Sequence, residues 1–298
     1  MSGAIPHNSA GALALQGFTG LMHGLSNEMY HGSGYGISNS GLLQIMKSPA
    51  HYFGLSLDPL RPPPEEQAGQ LLGTLAHCAL LEPAEFFTRY KIGPEARRNT
   101  KAWEAFEASM KPGEKAIKRS EHEAAKAIAR SMRSIPDVRE LLSRGRPEVS
   151  AYWIENVLDA NTGELIKVVC RCRPDWVHDL NDGTVILLDA KTCGDASPAE
   201  FARQIARKNY HHQAAFYIDG FEKASGKKVR EFVFVQGEVN WPYVAGSCAL
   251  YPEDIEKGRT LYRRNLETYA RCLAANDWPG YSNKVELVSL PSYAKGAK

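Results

Sequence analysis

Apolar segments in the second half of the chain predict a β-sheet. Two strands are predicted over Val149–Leu158 and Glu164–Arg173, because both stretches contain many β-branched or aromatic residues and a polar turn centred on Asn161 separates them. The segment Val185–Leu188 is apolar at every position, which is typical of a central strand covered on both faces. It follows a strong hairpin signal, Asn-Asp-Gly, at residues 181–183.

The pattern after this hairpin predicts more strands and the helices that cover them. A strand over Glu231–Val239 is expected to run parallel to Val185–Leu188 through a right-handed crossover, with Tyr243–Leu250 as its neighbour. Apolar residues spaced by three or four positions predict helices. These cover Gly41–Met46, Glu65–Leu81, a segment that starts at Pro198, Tyr210–Ala224 and Pro252–Ala275, and a polar helical pattern runs from Arg97 to Leu142. The predicted fold is therefore α/β, with a central mixed β-sheet flanked by helices.

The first 36 residues differ from the rest in composition. They are rich in glycine, serine, histidine and asparagine and have weak periodicity, so they are predicted to form a flexible arm, with a short helix around Leu13–Leu25. No second shift in composition divides residues 37–298, which are predicted to form a single domain. That length is sufficient to bury a sizeable core.

Composition and charge exclude several classes of protein. Hydrophobic residues make up 43% of the chain and the formal net charge is +2, so any site for nucleic acid must be a local patch. No segment approaches the roughly 20 apolar residues of a membrane span, and no secretory signal is recognisable, so a cytoplasmic location without membrane contact is expected. The scattered cysteines indicate reduced thiols, and Cys170-x-Cys172 favours core packing over a zinc or iron–sulfur site.

Two acidic residues lie at related positions around the predicted hairpin. Asp175 is expected to close the strand before the turn and Asp189 the strand after it, and a simple register about Asp182 places them opposite each other. Carboxylates whose Cβ atoms are about 5 Å apart repel each other unless a cation compensates them. Mg²⁺ is suited to this because it takes oxygen ligands and keeps some of its own water. The hairpin therefore predicts a metal-dependent phosphodiesterase centre.

Lys191 is a candidate for the same centre. It lies two positions after Asp189 and so on the same face of the strand, where its ammonium group can orient a metal-bound water or neutralise charge on a phosphate. Taken alone, Asp-x-Lys at a strand end is more often a solvated ion pair. The predicted opposition of Asp175 and Asp189 favours the catalytic interpretation.

Glu148 and His77 are further candidates. Pairing about the Asn161 turn brings Glu148 opposite Pro174, although acidic residues at strand edges also serve to discourage edge pairing. His77 lies one helical turn after Gly73, and the glycine would let a ligand or another backbone approach that face. A single histidine on an apolar helix is more often a core residue than a ligand.

Several residues are candidates for supporting the site or contacting substrate. Gln213 and Tyr217 share one helical face, with Tyr210 one turn earlier. Aromatic residues at this spacing usually belong to the core, but a buried glutamine amide needs partners. Arg171 and Arg173 point to the face opposite the two cysteines and are candidates for holding a phosphate.

Together these residues resemble a known nuclease family. The order Gly73-x-x-x-His77, Glu148, Asp175, Asp189-x-Lys191 and Gln213-x-x-x-Tyr217 is similar to that of the RecB-type branch of the PD-(D/E)xK nuclease superfamily. The nuclease domain of RecE-like exodeoxyribonucleases (exonuclease VIII) is the more specific likeness. Supporting stretches occur at residues 48–52, 73–83, 173–176 and 210–217, and the resemblance extends from about residue 36 to the Trp278–Tyr281 tail.

The resemblance implies a restriction-endonuclease-like core that binds Mg²⁺, for which Mn²⁺ is expected to substitute. The residues implied or expected for the site are His77, Asp175 and Asp189 as metal ligands, Lys191, Glu148, Gln213 and Tyr217 as catalytic or supporting residues, and Arg171, Arg173, Thr192 and Tyr210 as DNA contacts. Members of the family digest linear double-stranded DNA from the 5′ end and leave 3′ single strands for an annealing protein, commonly as rings. The resemblance therefore implies a homo-oligomeric 5′-to-3′ exonuclease with an annealing partner, in phage-type homologous recombination.

Three alternatives remain open at this point. The same fold could carry a structure-specific or single-strand DNA endonuclease, which unlike an exonuclease would cut covalently closed circles. The chain could be a DNA-binding recombination scaffold with an inactive site, in which case it would not bind the metal. It could also be a structural zinc protein that uses its cysteines and histidines, which metal analysis would reveal.

Overall fold

The structure, a computed structural model, describes residues 15–32, 34–62, 69–291 and 294. Its strands are β1 Gly20–Met22, β2 Tyr90–Ile92, β3 Lys115–Ile117, β4 Arg146–Pro147, β5 Ser150–Leu158, β6 Leu165–Cys172, β7 Trp176–Asp179, β8 Val185–Cys193, β9 Val229–Glu238 and β10 Ala245–Ala249. Its helices are α1 Asn27–Gly32, α2 Asn39–Lys47, α3 Pro49–Tyr52, α4 Gln70–Leu81, α5 Pro83–Arg89, α6 Lys101–Ala108, α7 Arg119–Ser134, α8 Pro136–Leu141, α9 Pro198–Lys208, α10 Tyr210–Ser225 and α11 Pro252–Ala275. A short π-helix, Phe53–Leu57, follows α3. The α/β class predicted from the sequence is confirmed.

A five-stranded mixed sheet in the order β10-β9-β8-β7-β4 forms the centre of the fold. β8 lies in the middle, antiparallel to β7 and parallel to β9, as the apolar segment and the crossover predicted. β10 is the antiparallel neighbour of β9. β8 continues to Cys193, so that Asp189 and Lys191 lie within the strand rather than at its end.

Two hydrophobic cores cover the two faces of this sheet, because successive side chains of a strand point to opposite faces. Leu187 and Phe234 belong to the core formed with α9, α10 and α11. Leu188 and Val235 belong to the core formed with α4, α7 and α8. The strand that carries Asp189 and Lys191 is therefore packed on both faces.

The register of the β7–β8 hairpin confirms that Asp175 and Asp189 oppose each other. Trp176 pairs with Leu188, and the next positions outward are the two aspartates. One detail was wrong: Asp175 directly precedes β7 instead of closing a strand, because β6 ends at Cys172 and the chain crosses from one sheet to the other over residues 173–175.

The register of the β5–β6 hairpin differs from the prediction by one residue. Ala151 pairs with Cys172, so the equivalent position for Glu148 is Asp175 rather than Pro174. The Glu148 N–H donates to the Asp175 carbonyl at 3.1 Å. The reason is the position of the turn. The Gly163 N–H donates to the Asp159 carbonyl at 2.7 Å, and the centre of this turn lies after Asn161.

Part of the predicted N-terminal arm has defined contacts in the structure. Within the described residues, β1 pairs with β5, and the rings of Phe18 and Tyr30 lie edge-on to Tyr152. Residues 15–32 therefore contact β5, and of the helix predicted around Leu13–Leu25 the described residues show a helical residue at Leu15, followed by the strand β1 at Gly20–Met22. Residues 1–14 of the predicted arm, Leu13 among them, lie outside the described residues.

Most predicted helices are confirmed, with altered bounds. α4 begins at Gln70 in the described part of the chain, and residues 65–68 of that prediction lie outside it. The pattern over residues 97–142 is divided into α6, α7 and α8, and β3 between α6 and α7 pairs with β2. Among the described residues, no helix combines the length and hydropathy that a membrane span requires.

Candidate metal centre

A cavity of about 490 Å³ opens between α4, β8 and α10. All of the site residues predicted from the sequence line it, except Arg171: His77, Glu148, Arg173, Asp175, Asp189, Lys191, Thr192, Tyr210, Gln213 and Tyr217. Five separate elements or connections supply them, so their convergence depends on the tertiary fold and not on local spacing.

His77, Glu148 and Asp175 form the closest group of potential metal ligands in the described part of the chain. His77 Nε2 lies 3.1 Å from Asp175 Oδ2 and 3.5 Å from Glu148 Oε1. One ligand atom from each of the three residues lies within 4.8 Å of the others. Glu148 reaches the group from a left-handed backbone conformation with φ 51°, just before β5 begins. This is a geometry that a small divalent ion can bridge.

Asp189 lies beside this group and is held by two other side chains. Lys191 forms an ion pair with its Oδ2 and the Gln213 amide donates to its Oδ1. The backbone N–H of Ala190 donates to Asp175 Oδ2 at 2.7 Å, which connects the two aspartates. The closest ligand group thus contains Glu148, whereas the set predicted from the sequence contains Asp189 in its place.

His77 and Asp175 stabilise each other's charged form. Burial opposes the charge of His77, but the carboxylates of Asp175 and Glu148 outweigh burial and raise its pKa to about 9. Burial likewise opposes the charge of Asp175, but the His77 cation and the Lys191 ammonium group keep its pKa below the usual value. Protonated His77 therefore supplies the positive charge that a metal ion would otherwise supply to this group.

The other two carboxyl groups have raised pKa values. Burial, and then repulsion from Asp175, raises the pKa of Glu148 to about 7. Burial raises the pKa of Asp189 to about 6, although the ammonium group of Lys191 acts in the opposite direction. Three carboxyl groups thus lie around one imidazole, with Asp189 buried and Glu148 and Asp175 partly buried, and two of the three have raised pKa values. An imidazole and several carboxylate oxygens are also ligands that divalent ions accept, so the residues present fit such an ion.

Glycine and aromatic neighbours position these groups. A Cβ atom on Gly73 would lie 3.1 Å from Thr192 Oγ1, so the glycine lets α4 approach β8 closely enough for His77 to reach the carboxylates. The Lys191 ammonium group lies 4.9 Å from the centre of the Tyr210 ring, which gives it a cation–π contact in addition to its ion pair. Gln213, on the predicted Gln213–Tyr217 face, donates its amide to the buried Asp189 carboxylate and so has the partner that a buried amide requires.

Both arginines predicted to hold a phosphate contact the N-terminal segment instead. Arg173 is 6% exposed and donates to Ser150 Oγ, Asn27 Oδ1 and the Leu25 carbonyl, and its Nη1 lies 3.6 Å from Glu148 Oε2. Arg171 donates to the Tyr30 carbonyl and lines a neighbouring cavity. The reason is that the segment after β1 covers this face of β6.

Sequence reasoning missed the residues that this segment contributes to the cavity. Asn27, Tyr30 and His31 line it, together with Met132 from α7. Tyr30 is almost fully buried and its ring lies 3.9 Å from the guanidinium carbon of Arg173. The nearest sequence signal was a tyrosine in a region rich in small polar residues, which by itself does not distinguish a site residue from a linker.

The fold is that of the PD-(D/E)xK nuclease superfamily. The model of one family, the PDDEXK-like domain of unknown function (DUF3799), matches residues 38–291, and the chain belongs to that family. No curated protein matches the chain.

Several solved structures match the chain. A "Putative exonuclease" from Eubacterium rectale is 13% identical, with a TM-score of 0.57 over 93% of this chain and 99% of that one, which supports the shared fold. The structure of SSO0001 is 15% identical over 49% of this chain and 66% of that one, with a TM-score of 0.29.

Proposed function

We propose that the chain is a Mg²⁺-dependent exodeoxyribonuclease that degrades linear double-stranded DNA from its 5′ ends and leaves 3′ single strands. The observation that carries the proposal is the convergence of His77, Glu148 and Asp175 beside the Asp189–Lys191 pair in one open cavity. The name of the Eubacterium rectale structure and the resemblance of the motifs to RecE-like nucleases support the exonuclease assignment.

The ligands proposed for the ion are His77, Glu148, Asp175 and Asp189. A divalent ion bound there would polarise the phosphate and lower the pKa of a water molecule. Lys191 is the only lysine around the cavity among the described residues, and in the proposed site its ammonium group stabilises negative charge on the phosphate. Gln213 fixes the orientation of the Asp189 carboxylate through its amide. Mn²⁺ is expected to replace Mg²⁺, since both ions accept oxygen ligands.

The proposed biological setting is phage-type homologous recombination. A single-strand annealing protein would receive the 3′ strand, and a homo-oligomeric ring would keep the nuclease on its DNA. Both partners are proposed from the resemblance to RecE-like nucleases. Thr192 and Tyr210 line the cavity next to Lys191 and are the proposed contacts to the DNA strand, whereas Arg171 and Arg173 support the site through the N-terminal segment.

Digestion of end-labelled duplex tests the proposal. With Mg²⁺, a 5′ label is expected to be released as mononucleotides or short products before a 3′ label, and a chelator is expected to stop both. A covalently closed circle of the same sequence is expected to stay intact. Cutting of the circle would identify the endonuclease alternative, and an absence of any cutting with bound Mg²⁺ would contradict the proposed activity.

Metal binding is expected to release protons, because the metal and the protons compete for the same atoms. With a pKa of about 9, His77 is protonated at pH 7, and Glu148, with a pKa of about 7, is half protonated. Mg²⁺ binding at pH 7 should therefore release about 1.5 protons, and its affinity should rise with pH until about pH 9. Calorimetry in two buffers of different ionisation enthalpy measures this number. Binding that is independent of pH between 6 and 9 would exclude His77 as a ligand.

A further inference from the structure

The loop that joins β9 to β10 presents an exposed tryptophan. Trp241 is 83% exposed, and its ring lies edge-on to Tyr243 with the ring centres 5.9 Å apart. Val244, the next residue of the loop, is 50% exposed. Among the five tryptophans of the chain, Trp103, Trp153 and Trp176 are buried, so this loop carries a large flat apolar surface that the fold itself does not use.

Hydrogen bonds at its base hold the loop in place. The Glu238 N–H donates to the Val244 carbonyl at 2.9 Å, and the Val239 N–H donates to the Cys193 carbonyl, at the end of β8, at 3.0 Å. The Glu238 carboxylate accepts from the Ala196 N–H at 2.9 Å. The base of the hairpin is thus tied to the strand that carries Asp189 and Lys191.

The hairpin extends from the sheet at the end where the metal centre lies. In the parallel register, Lys191 pairs with Gln236, and Trp241 follows Gln236 by five residues. Five residues span at most roughly 18 Å, which is about five base-pair steps of duplex DNA at 3.4 Å each. Gly237 packs tightly against Met132, and Met132 lines the metal cavity. The strand that leads into the loop therefore contacts a residue that lines the cavity.

We propose that Trp241 stacks on a base of the DNA bound at the metal centre and so positions the strand for cleavage. This inference rests on the proposed function, because it takes DNA as the ligand of that site. Every base has a π face, so stacking binds DNA without sequence preference, as a nuclease that digests from an end requires. Trp241 is thus a positioning residue and does not act on the phosphate.

Two measurements on the full chain test this inference: its affinity for DNA and its tryptophan fluorescence. Both use an end-labelled duplex that carries a short single-stranded end, in the presence of a chelator. Trp241→Ala is expected to weaken binding about tenfold or more, and Trp241→Phe, which keeps an aromatic face, is expected to keep most of it. The matched control is Tyr251→Ala, which removes an aromatic side chain of 73% exposure beyond the opposite end of β10. That variant is expected to bind like the wild type.

DNA is also expected to quench the wild-type fluorescence, and this quenching should be reduced in Trp241→Phe. Equal affinity of the Trp241→Ala variant and the wild type, or quenching that persists in Trp241→Phe, would overturn the inference even if the wild type cleaves DNA. Stacking measured in a wild type that binds Mg²⁺ but cuts no DNA would support the inference and contradict the proposed nuclease activity. Loss of self-association in Trp241→Ala without any change in DNA binding would assign the loop to a protein interface and overturn the proposal.

Discussion

Replacing Asp175 with asparagine is expected to reduce DNA cleavage at least about a thousandfold, because it removes the carboxylate at the centre of the site. Asp175 Oδ2 contacts His77 and accepts from the Ala190 N–H, and its neighbours Glu148 and Asp189 both respond to its charge. An asparagine can keep the hydrogen bond from Ala190 but offers a neutral oxygen to a divalent ion. The measurement is kcat/KM on end-labelled duplex with Mg²⁺, together with calorimetry of Mg²⁺ binding.

The matched control is Asp179→Asn, at the last residue of the strand that Asp175 directly precedes. Asp179 lies at the other end of β7, where it forms ion pairs with Arg146 and Lys227. This variant should cut DNA at close to the wild-type rate, since its change in charge is the same but its position is remote from the cavity. Thermal unfolding of both variants separates a loss of chemistry from a loss of structure. Cleavage by Asp175→Asn within tenfold of the wild type would contradict the assignment of the site.

Local sequence signals predicted the part of the site that depends on one tight turn. The Asn-Asp-Gly turn leaves β7 and β8 little freedom in their register, so the opposition of Asp175 and Asp189 could be derived by counting from it. The period of β8 likewise placed Lys191 on the face of Asp189. His77 was predicted as a candidate from the glycine one turn earlier, which would let a ligand or another backbone approach, and in the structure Gly73 lies close to Thr192 of β8.

Contacts between distant parts of the chain could not be derived in this way. The turn between β5 and β6 admits more than one register, and the one that forms brings Glu148 to Asp175 rather than to Pro174. The N-terminal segment binds Arg171 and Arg173 across more than 140 positions of sequence, with separations of 141 for Tyr30–Arg171 and 148 for Leu25–Arg173. This segment is rich in small polar residues and has weak periodicity, so its sequence pattern does not predict an ordered element. Its order comes instead from pairing with the edge of β5.

Replacing Lys191 with methionine is expected to lower both the free energy of unfolding and the rate of cleavage. The loss of unfolding free energy is expected to depend on pH. Asp189 is 2% exposed and would keep only the Gln213 amide as a partner. Without Lys191, the pKa of Asp189 in the folded protein rises further above its unfolded value of about 3.9. A carboxyl group with a raised folded pKa destabilises the fold increasingly as the pH rises. The loss of unfolding free energy should therefore be small at pH 4 and about 3 kcal/mol at pH 8, in urea unfolding with a chelator present.

The double variant Asp189→Asn with Lys191→Met provides the control. It removes both charges, so most of the stability at pH 8 should return and the added pH dependence should disappear. Cleavage should stay at least about a hundredfold below the wild type in both variants, because neither has an ammonium group beside the phosphate and the double variant also lacks the proposed metal ligand Asp189. Recovery of stability in the double variant would show that the loss in Lys191→Met comes from the unpaired Asp189 carboxylate, and cleavage by Lys191→Met within tenfold of the wild type would contradict the proposed role of Lys191 in the reaction. Recovery of both would mean that the lysine serves only to compensate Asp189, and the proposed catalytic role would be wrong.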